Sequence, residues 1–252
     1  MRRLLGLARS MLIYWHPGRQ RGLRTLYSSF VNAGDLVFDV GAHLGDRTVT
    51  FCDLGARVIA IEPQEDVLPW LRRRIGRKSG ATLVNAAVGR EKGTGSLLVS
   101  DNNPTLSTLA DDWRKKVVHK NPSFRHVRWN RRQEVRVTTL DALIEEHGEP
   151  SFCKIDVEGH EAEVLAGLSH PIAMVSIEFV SGTLEIAEAS IDRLESLGHY
   201  EYNAIPGEKR RFLWGAWQPP DRMREWLAHR GAKFPSGDLY ARRISMLQDT
   251  TT

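Results

Sequence analysis

Asp39, Glu62 and Asp156 each stand at the end of an apolar run, and the turn Gly41-Ala42-His43-Leu44-Gly45 follows the first of them. Val37, Phe38 and Val40 are β-formers, so Asp39 falls near a strand's C-terminal end. Open α/β sheets bind ligands at that edge. Gly41 and Gly45 let the backbone turn sharply and approach a ligand closely. Asp46 and Thr48 suit the first turn of a following helix. Glu62 closes the next run, VIAIEP, about 20 residues beyond Asp39, where a ribose-binding acid is expected. A carboxylate there can accept from both ribose hydroxyls. The plainer readings are a solvated turn, a surface acid at Glu62 and a helix cap at Asp156.

Two nucleoside cofactors use such a layout. A dinucleotide needs G-x-G-x-x-G, because its pyrophosphate sits on a helix N-terminus. Here the middle glycine is missing, and Asp46 would set a carboxylate beside the phosphates. S-adenosylmethionine carries no phosphate but an ammonium, a sulfonium and a carboxylate. An acid-flanked turn tolerates it, so the turn favours S-adenosylmethionine.

The elements that must position these residues follow a strand–helix alternation. Thr82 to Gly89 (TLVNAAVG) holds a third strand ending in the polar Asn85, and Phe152 to Gly159 a fourth, ending in Asp156 and Glu158. His160 to Gly167 opens a helix, and Met174 to Val180 is a fifth strand carrying Glu178. Gly93 to Ser100 and Val135 to Thr138 are further strands. His199 to Ile205 and Leu239 to Ser245 read as antiparallel closing strands. Asp101 to Thr108 is a polar loop.

The segments VFDVGAHLGDRT, IEP, NAAVG, TTLDAL and KIDVEGHEAEVLAG, in that order, resemble the FkbM-type S-adenosylmethionine-dependent methyltransferases, over roughly residues 34–178. His43 departs from the pattern, where Asn is commonest. The resemblance implies a Rossmann-like class I methyltransferase fold: α/β, a mostly parallel doubly wound sheet with antiparallel closing strands. It also implies O-methylation of a hydroxyl on a sugar, glycoconjugate or polyketide-like natural product.

In such a site Asp39, Gly41, Ala42, His43, Gly45, Glu62, Asn85 and Asp156 bind the cofactor. Backbone amides around Gly41 to Gly45 would take the methionine moiety, and Asn85 the adenine edge unless it is a turn residue. Asp156 would lie beside the methionine ammonium or the transferring methyl. A hydroxyl acceptor needs a base. Glu158 and Glu178 come first, and His160, His43 and Asp156 follow. Asp156, Glu158 and Glu178 could hold Mg²⁺ through oxygens. No second acidic pair accompanies them, so no metal is expected.

Asn102, Asn103, Ser107 and Thr108 fall where the family commonly contacts its acceptor. Residues 109–136 hold nine Lys/Arg against three acids, which suggests an anionic or lipid-linked acceptor. Trp113, Phe124 and Trp129 lie among them, so a nucleic-acid methyltransferase is a rival reading. A net charge of only +4 and the lack of an N-P-P-Y-like motif weigh against it. A non-catalytic or membrane-associated interaction protein is a second rival, set against an intact cofactor turn. Trp214, Trp217 and Trp226 read as core more readily than as a sugar platform.

At 252 residues and 41% apolar content, one domain with a sizeable core is expected. Its bounds are set at 34–252, behind a basic helical extension over 1–33. Leu4, Leu7/Ala8, Met11 and Trp15 recur there at helical spacing, and residues 1–34 hold six Arg and no acid. Peripheral membrane contact is the sharper use of that extension. Arg9 interrupts its apolar stretch and no small-residue cleavage site follows, so it does not read as a signal peptide. Cys52 and Cys153 sit in apolar segments as buried free thiols, consistent with a reducing cytoplasm. No run approaches the roughly 20 apolar residues of a membrane span.

Overall fold

The computed structural model describes residues 2–207 and 209–244, without the side chains of residues 2–5, Ala8, Ile13 and Pro17. Two helices open the chain, α1 (Arg2–Tyr14) and α2 (Pro17–Tyr27). An alternation follows: β1 (Leu36–Val40), α3 (Asp46–Asp53), β2 (Arg57–Ile61), α4 (Leu68–Ile75) and β3 (Ala81–Val84). Next come β4 (Ala87–Val88), β5 (Gly93–Val99), α5 (Asp111–Lys120), β6 (Arg131–Thr138) and α6 (Leu140–His147). The alternation resumes with β7 (Phe152–Ile155), α7 (Glu161–Ala166), β8 (Met174–Val180) and α8 (Glu185–Leu197). The chain then runs through β9 (Tyr200–Pro206), α9 (Pro220–His229) and β10 (Ser236–Arg243).

The main sheet has the order β3-β2-β1-β7-β8-β10-β9. Its first five strands are parallel, and β10 pairs antiparallel with both β8 and β9. The fold is therefore α/β and Rossmann-like, with antiparallel closing strands. All five residues of β1 are buried, as a parallel strand covered on both faces requires. Phe38 and Val40 pack towards Leu165, Ile177 and α8, while Val37 faces Tyr27, Phe51 and Phe152 on the other side. Each aromatic buried in this way contributes about 1.5–3 kcal/mol. The chain passes from β1 to β2 on one side and returns to β7 on the other. That change of direction opens a crevice at the carboxyl ends of β1 and β7.

In α1, Leu7 packs on Leu44 and Val67, with Met11 and Tyr14 half-buried beside them. Trp15 Nε1 donates to the Leu44 carbonyl at 3.2 Å. Leu4 and Ala8 of the expected stripe lie outside the described side chains, as does Ser245 of the last expected strand. Among the described residues, no helix is long and apolar enough to cross a membrane. Cys52 and Cys153 are both free.

The third strand closes at Val84, just before Asn85. Two further features appear. Ala87–Val88 form β4, which leaves the main sheet to pair with β6 in a three-stranded one. Residues 109–133 contain α5, whose Trp113 and Val117 are buried with Phe124 and Val127. Trp129 Nε1 donates to the Leu106 carbonyl at 2.6 Å. Several cations are paired there: Arg114 and Lys115 with Asp111, and Lys116 with Glu185. Trp113, Phe124 and Trp129, which the rival nucleic-acid reading would use for stacking, are thus a small core. Trp226 likewise packs on Phe179 and Trp214.

Candidate active site

The turn after β1 is built by contacts that fix its shape. Asp39 is 1% exposed, and its Oδ2 accepts from Thr48 Oγ1 at 2.5 Å. Gly41 has φ +82°, and a Cβ there would stand 1.9 Å from the Asp156 carbonyl oxygen, so only glycine fits. The amides of Gly41 and Ala42 both donate to the Ile61 carbonyl at 3.0 Å, and Gly45's to the Ala42 carbonyl at 2.8 Å. His43 N–H donates to Glu62 Oε2 at 2.8 Å, and Gln64 N–H to Glu62 Oε1 at 2.8 Å. The amides expected to receive a methionine group are therefore largely turned back into the protein.

Glu62 is buried, and burial first of all pushes its carboxyl up to about 7, against the pull of those two amides. Burial also pushes His43 down to about 4, leaving the imidazole neutral near pH 7. Gln64, 1% exposed, escaped the sequence reading although it follows Glu62 by two residues. Its Oε1 accepts from Ser107 Oγ at 2.8 Å.

The opposite wall is the arch after β7. Glu158 holds the left-handed conformation at φ +56°, and Gly159 follows at +90°. A side chain rarely pays for that conformation without support, and here both flanks are tied. Thr108 Oγ1 donates to the Glu158 carbonyl at 2.6 Å, and Glu161 Oε1 accepts from the amides of Val157 and Gly159. Lys154, 2% exposed, donates to Asp156 Oδ2 at 2.8 Å. Burial opposes ionisation of Asp156, but Lys154 and Arg47 outweigh it and hold the carboxyl below its ordinary range. Glu158 and Glu178 go the other way: burial, then neighbouring acids, push both well up. Carboxylate oxygens of Asp156, Glu158 and Glu178 all lie within 4.8 Å of one another.

Two adjoining chambers result. The first, about 550 Å³, is lined by Glu62, Gln64, Ala87, Leu97, Ser107 and His160 among others. The second, about 1110 Å³, has Tyr14, Arg19, Arg47, Phe124, Glu178 and Ser236 in its wall. Gly41, His43, Thr105, Asp156 and Glu158 face both. Burial lowers the pKa of His160. Asn85 is exposed and lines neither chamber; Ala86 to Val88 do so instead. Asn102 and Asn103 also stay outside, and Thr108 spends its hydroxyl on the arch.

Among the described residues, twelve buried side-chain polar atoms lack a hydrogen-bond partner, and six of them line these chambers. They are Asp39 Oδ1, His43 Nε2, Arg47 Nε, Gln64 Nε2, Glu158 Oε2 and Glu178 Oε2. Buried polar groups are normally satisfied, so their concentration marks where a polar ligand fits.

The strand order, the crevice and the acid-closed turn define a Rossmann-like nucleoside-binding domain. The chain belongs to the FkbM methyltransferase family, whose model, "Methyltransferase FkbM domain", matches residues 39–234. The cofactor is S-adenosylmethionine, and the orphaned donors and acceptors above suit its mixed charges. A curated relative, the hexuronic acid methyltransferase AglP of Haloferax volcanii, is 28% identical over 165 residues. That match spans 65% of this chain and 61% of the relative. Among solved structures, a precorrin-6y C5,15-methyltransferase from Geobacter metallireducens aligns at a TM-score of 0.44 and 13% identity, covering 87% of this chain and 88% of that one. Aeropyrum pernix fibrillarin with bound S-adenosyl-L-methionine aligns at 0.42 and 10%, covering 84% and 68%.

Proposed function

We propose that this protein is an S-adenosylmethionine-dependent O-methyltransferase acting on a hydroxyl of a sugar or glycoconjugate. The observation that carries the reading is the junction of the two chambers. A chamber holding Glu62 and Gln64 meets, across Gly41 and Asp156, a larger one walled by unpartnered carboxyl groups. The likeness to a hexuronic acid methyltransferase supports a sugar acceptor.

Bound S-adenosylmethionine supplies an electrophilic methyl and its own thioether leaving group, so the protein need supply no nucleophile. Glu62 accepts from the ribose hydroxyls through the lone pairs its two amide donors leave free. Gln64 Nε2 and Ala86 to Val88 flank the base. Asp156, held ionised by Lys154, faces the ammonium, and Asp39 braces the turn through Thr48. Glu158 or Glu178 would take the acceptor hydroxyl's proton, since each presents an unpartnered carboxyl oxygen to the second chamber. His160 and His43 stay neutral and close the walls. Residues 34–252 form the methyltransferase domain. The basic helical extension over 1–33 completes the second chamber through Tyr14 and Arg19.

The test is transfer of labelled methyl from S-adenosylmethionine to uronic-acid and neutral glycosides. An alkali-stable label on the sugar is expected, because a methyl ether survives base. An alkali-labile label would mean a methyl ester on a carboxylate and would overturn the hydroxyl assignment. Label appearing only on RNA would overturn the sugar.

A further inference from the structure

We infer that Arg47 is the carboxylate seat of the second chamber, a reading that rests on the function proposed above. Arg47 is the second residue of α3, and its side chain is 16% exposed. Its Nε is buried with no partner. The neighbouring acid does not satisfy it. Asp46 Oδ1 lies 3.7 Å from Arg47 Nη1, beyond a hydrogen bond, and accepts instead from Arg47's own amide at 2.9 Å. Asp46 Oδ2 accepts from Arg19 Nε at 2.8 Å. Among the described residues, no side-chain hydrogen bond runs from the Arg47 guanidinium to another protein group. A guanidinium carries five donors in a planar fork that matches a carboxylate. Keeping them unspent in a buried wall costs stability unless a ligand takes them.

The glycine turn strengthens the inference. Gly41, Ala42, His43 and Gly45 have already committed their amides within the protein. An incoming carboxylate needs another donor, and Arg47 faces the chamber that adjoins the turn. Two carboxylates can arrive there: that of the cofactor's methionine moiety and that of a uronic acid acceptor.

The experiment compares wild type with Arg47→Gln and Arg47→Lys by calorimetry, using ligands paired with and without a carboxylate. S-adenosylhomocysteine is paired with 5′-methylthioadenosine, and methyl glucuronide with methyl glucoside. Arg47→Gln should weaken the carboxylate-bearing member of one pair by about 10- to 100-fold, the range set by losing hydrogen bonds to a charged group. The carboxylate-free partner should be unchanged, and Lys should recover part of the loss. A deficit for S-adenosylhomocysteine assigns the seat to the cofactor; a deficit for the glucuronide assigns it to the acceptor. Equal losses within both pairs, or no loss in either, would leave Arg47 a mere counter-charge to the buried acids and overturn the inference. Thermal unfolding of each variant separates misfolding from lost binding. Wild type that fails to bind S-adenosylhomocysteine would instead sink the methyltransferase reading itself.

Discussion

The backbone amide of His43 donates to the Glu62 carboxylate at 2.8 Å, so the turn after β1 and the acid closing β2 form one unit. Removing the acid therefore loosens the turn as well as the proposed ribose contact. Glu62→Ala should weaken S-adenosylmethionine binding by about 10- to 100-fold, the range for hydrogen bonds to a charged group. Calorimetry showing wild-type affinity would remove the ribose assignment.

The same carboxyl makes binding depend on pH. Its folded value stands near 7, raised chiefly by burial. Hydroxyl donors favour the ionised form, so affinity should climb as pH rises through 7 and then level off. Stability moves oppositely. An acid whose pKa is raised in the folded state contributes stability that is fully present below the ordinary glutamate range and lost as pH rises to the folded value. Glu161, likewise raised to about 7 by burial, acts in the same direction. Melting temperature measured against pH should show this decline, flattened in a Glu62→Gln, Glu161→Gln double variant. An unchanged profile in that variant would refute the assignment.

Glu158→Gln and Glu178→Gln should each keep cofactor affinity, while at least one loses turnover by about 10²–10⁴-fold, the range for a missing general base. Full activity in both would eliminate them. Glu158 is the largest charged contributor to the raised Glu178 carboxyl. If Glu178 is the base, Glu158→Gln should move the rising limb of the pH–rate profile to lower pH. Chelators should leave turnover unchanged; a loss restored by Mg²⁺ would give the three acids to a cation.

Lys154 is buried against Asp156. Lys154→Met removes the partner of a carboxylate whose side chain is 24% exposed. Water offsets part of the loss, so denaturant unfolding should show a cost of about 1–3 kcal/mol, below that of a fully buried broken pair. A Lys154→Met, Asp156→Asn double variant should recover part of that cost. If it is no more stable than the single variant, the pair is not coupled.

Gly41→Ala forces a Cβ into the Asp156 carbonyl at a backbone angle disfavoured for alanine. The angle alone costs about 1–2 kcal/mol. Both the unfolding temperature and cofactor affinity should fall, because the clash lies across the β1–β7 crevice. Retention of both would show that the turn relaxes.

The turn, Glu62 and the arch acids were legible in the sequence because each follows an apolar run at a strand end, a feature local to the chain. Lys154, Gln64, Arg47 and Glu161 were not. Lys154 reads as an interruption in FCKI until its register beside Asp39 is known. Glu161 reads as a helix-start acid until it is seen holding the Val157 and Gly159 amides. The change of sheet after Asn85 was hidden because AAVG continues the apolar run, and which partner strand takes it is not local to the chain. In α5, only Trp113 and Val117 are buried, too few to show a helical stripe amid so many charges.

The arch from Asp156 to Glu161 is a ruler as much as a wall. Pinned by Thr108 on one flank and by the Glu161 carboxylate on the other, it sets the interval between Asp156 and Glu158, the acids proposed above for cofactor and acceptor. One inserted residue would shift Glu158 out of step with Asp156 and break the Glu161 brace. Redesign for a new acceptor therefore has its freedom in chamber-wall residues that hold neither brace, such as Thr105, Ser123 and Tyr14, rather than in Thr108 or Glu161.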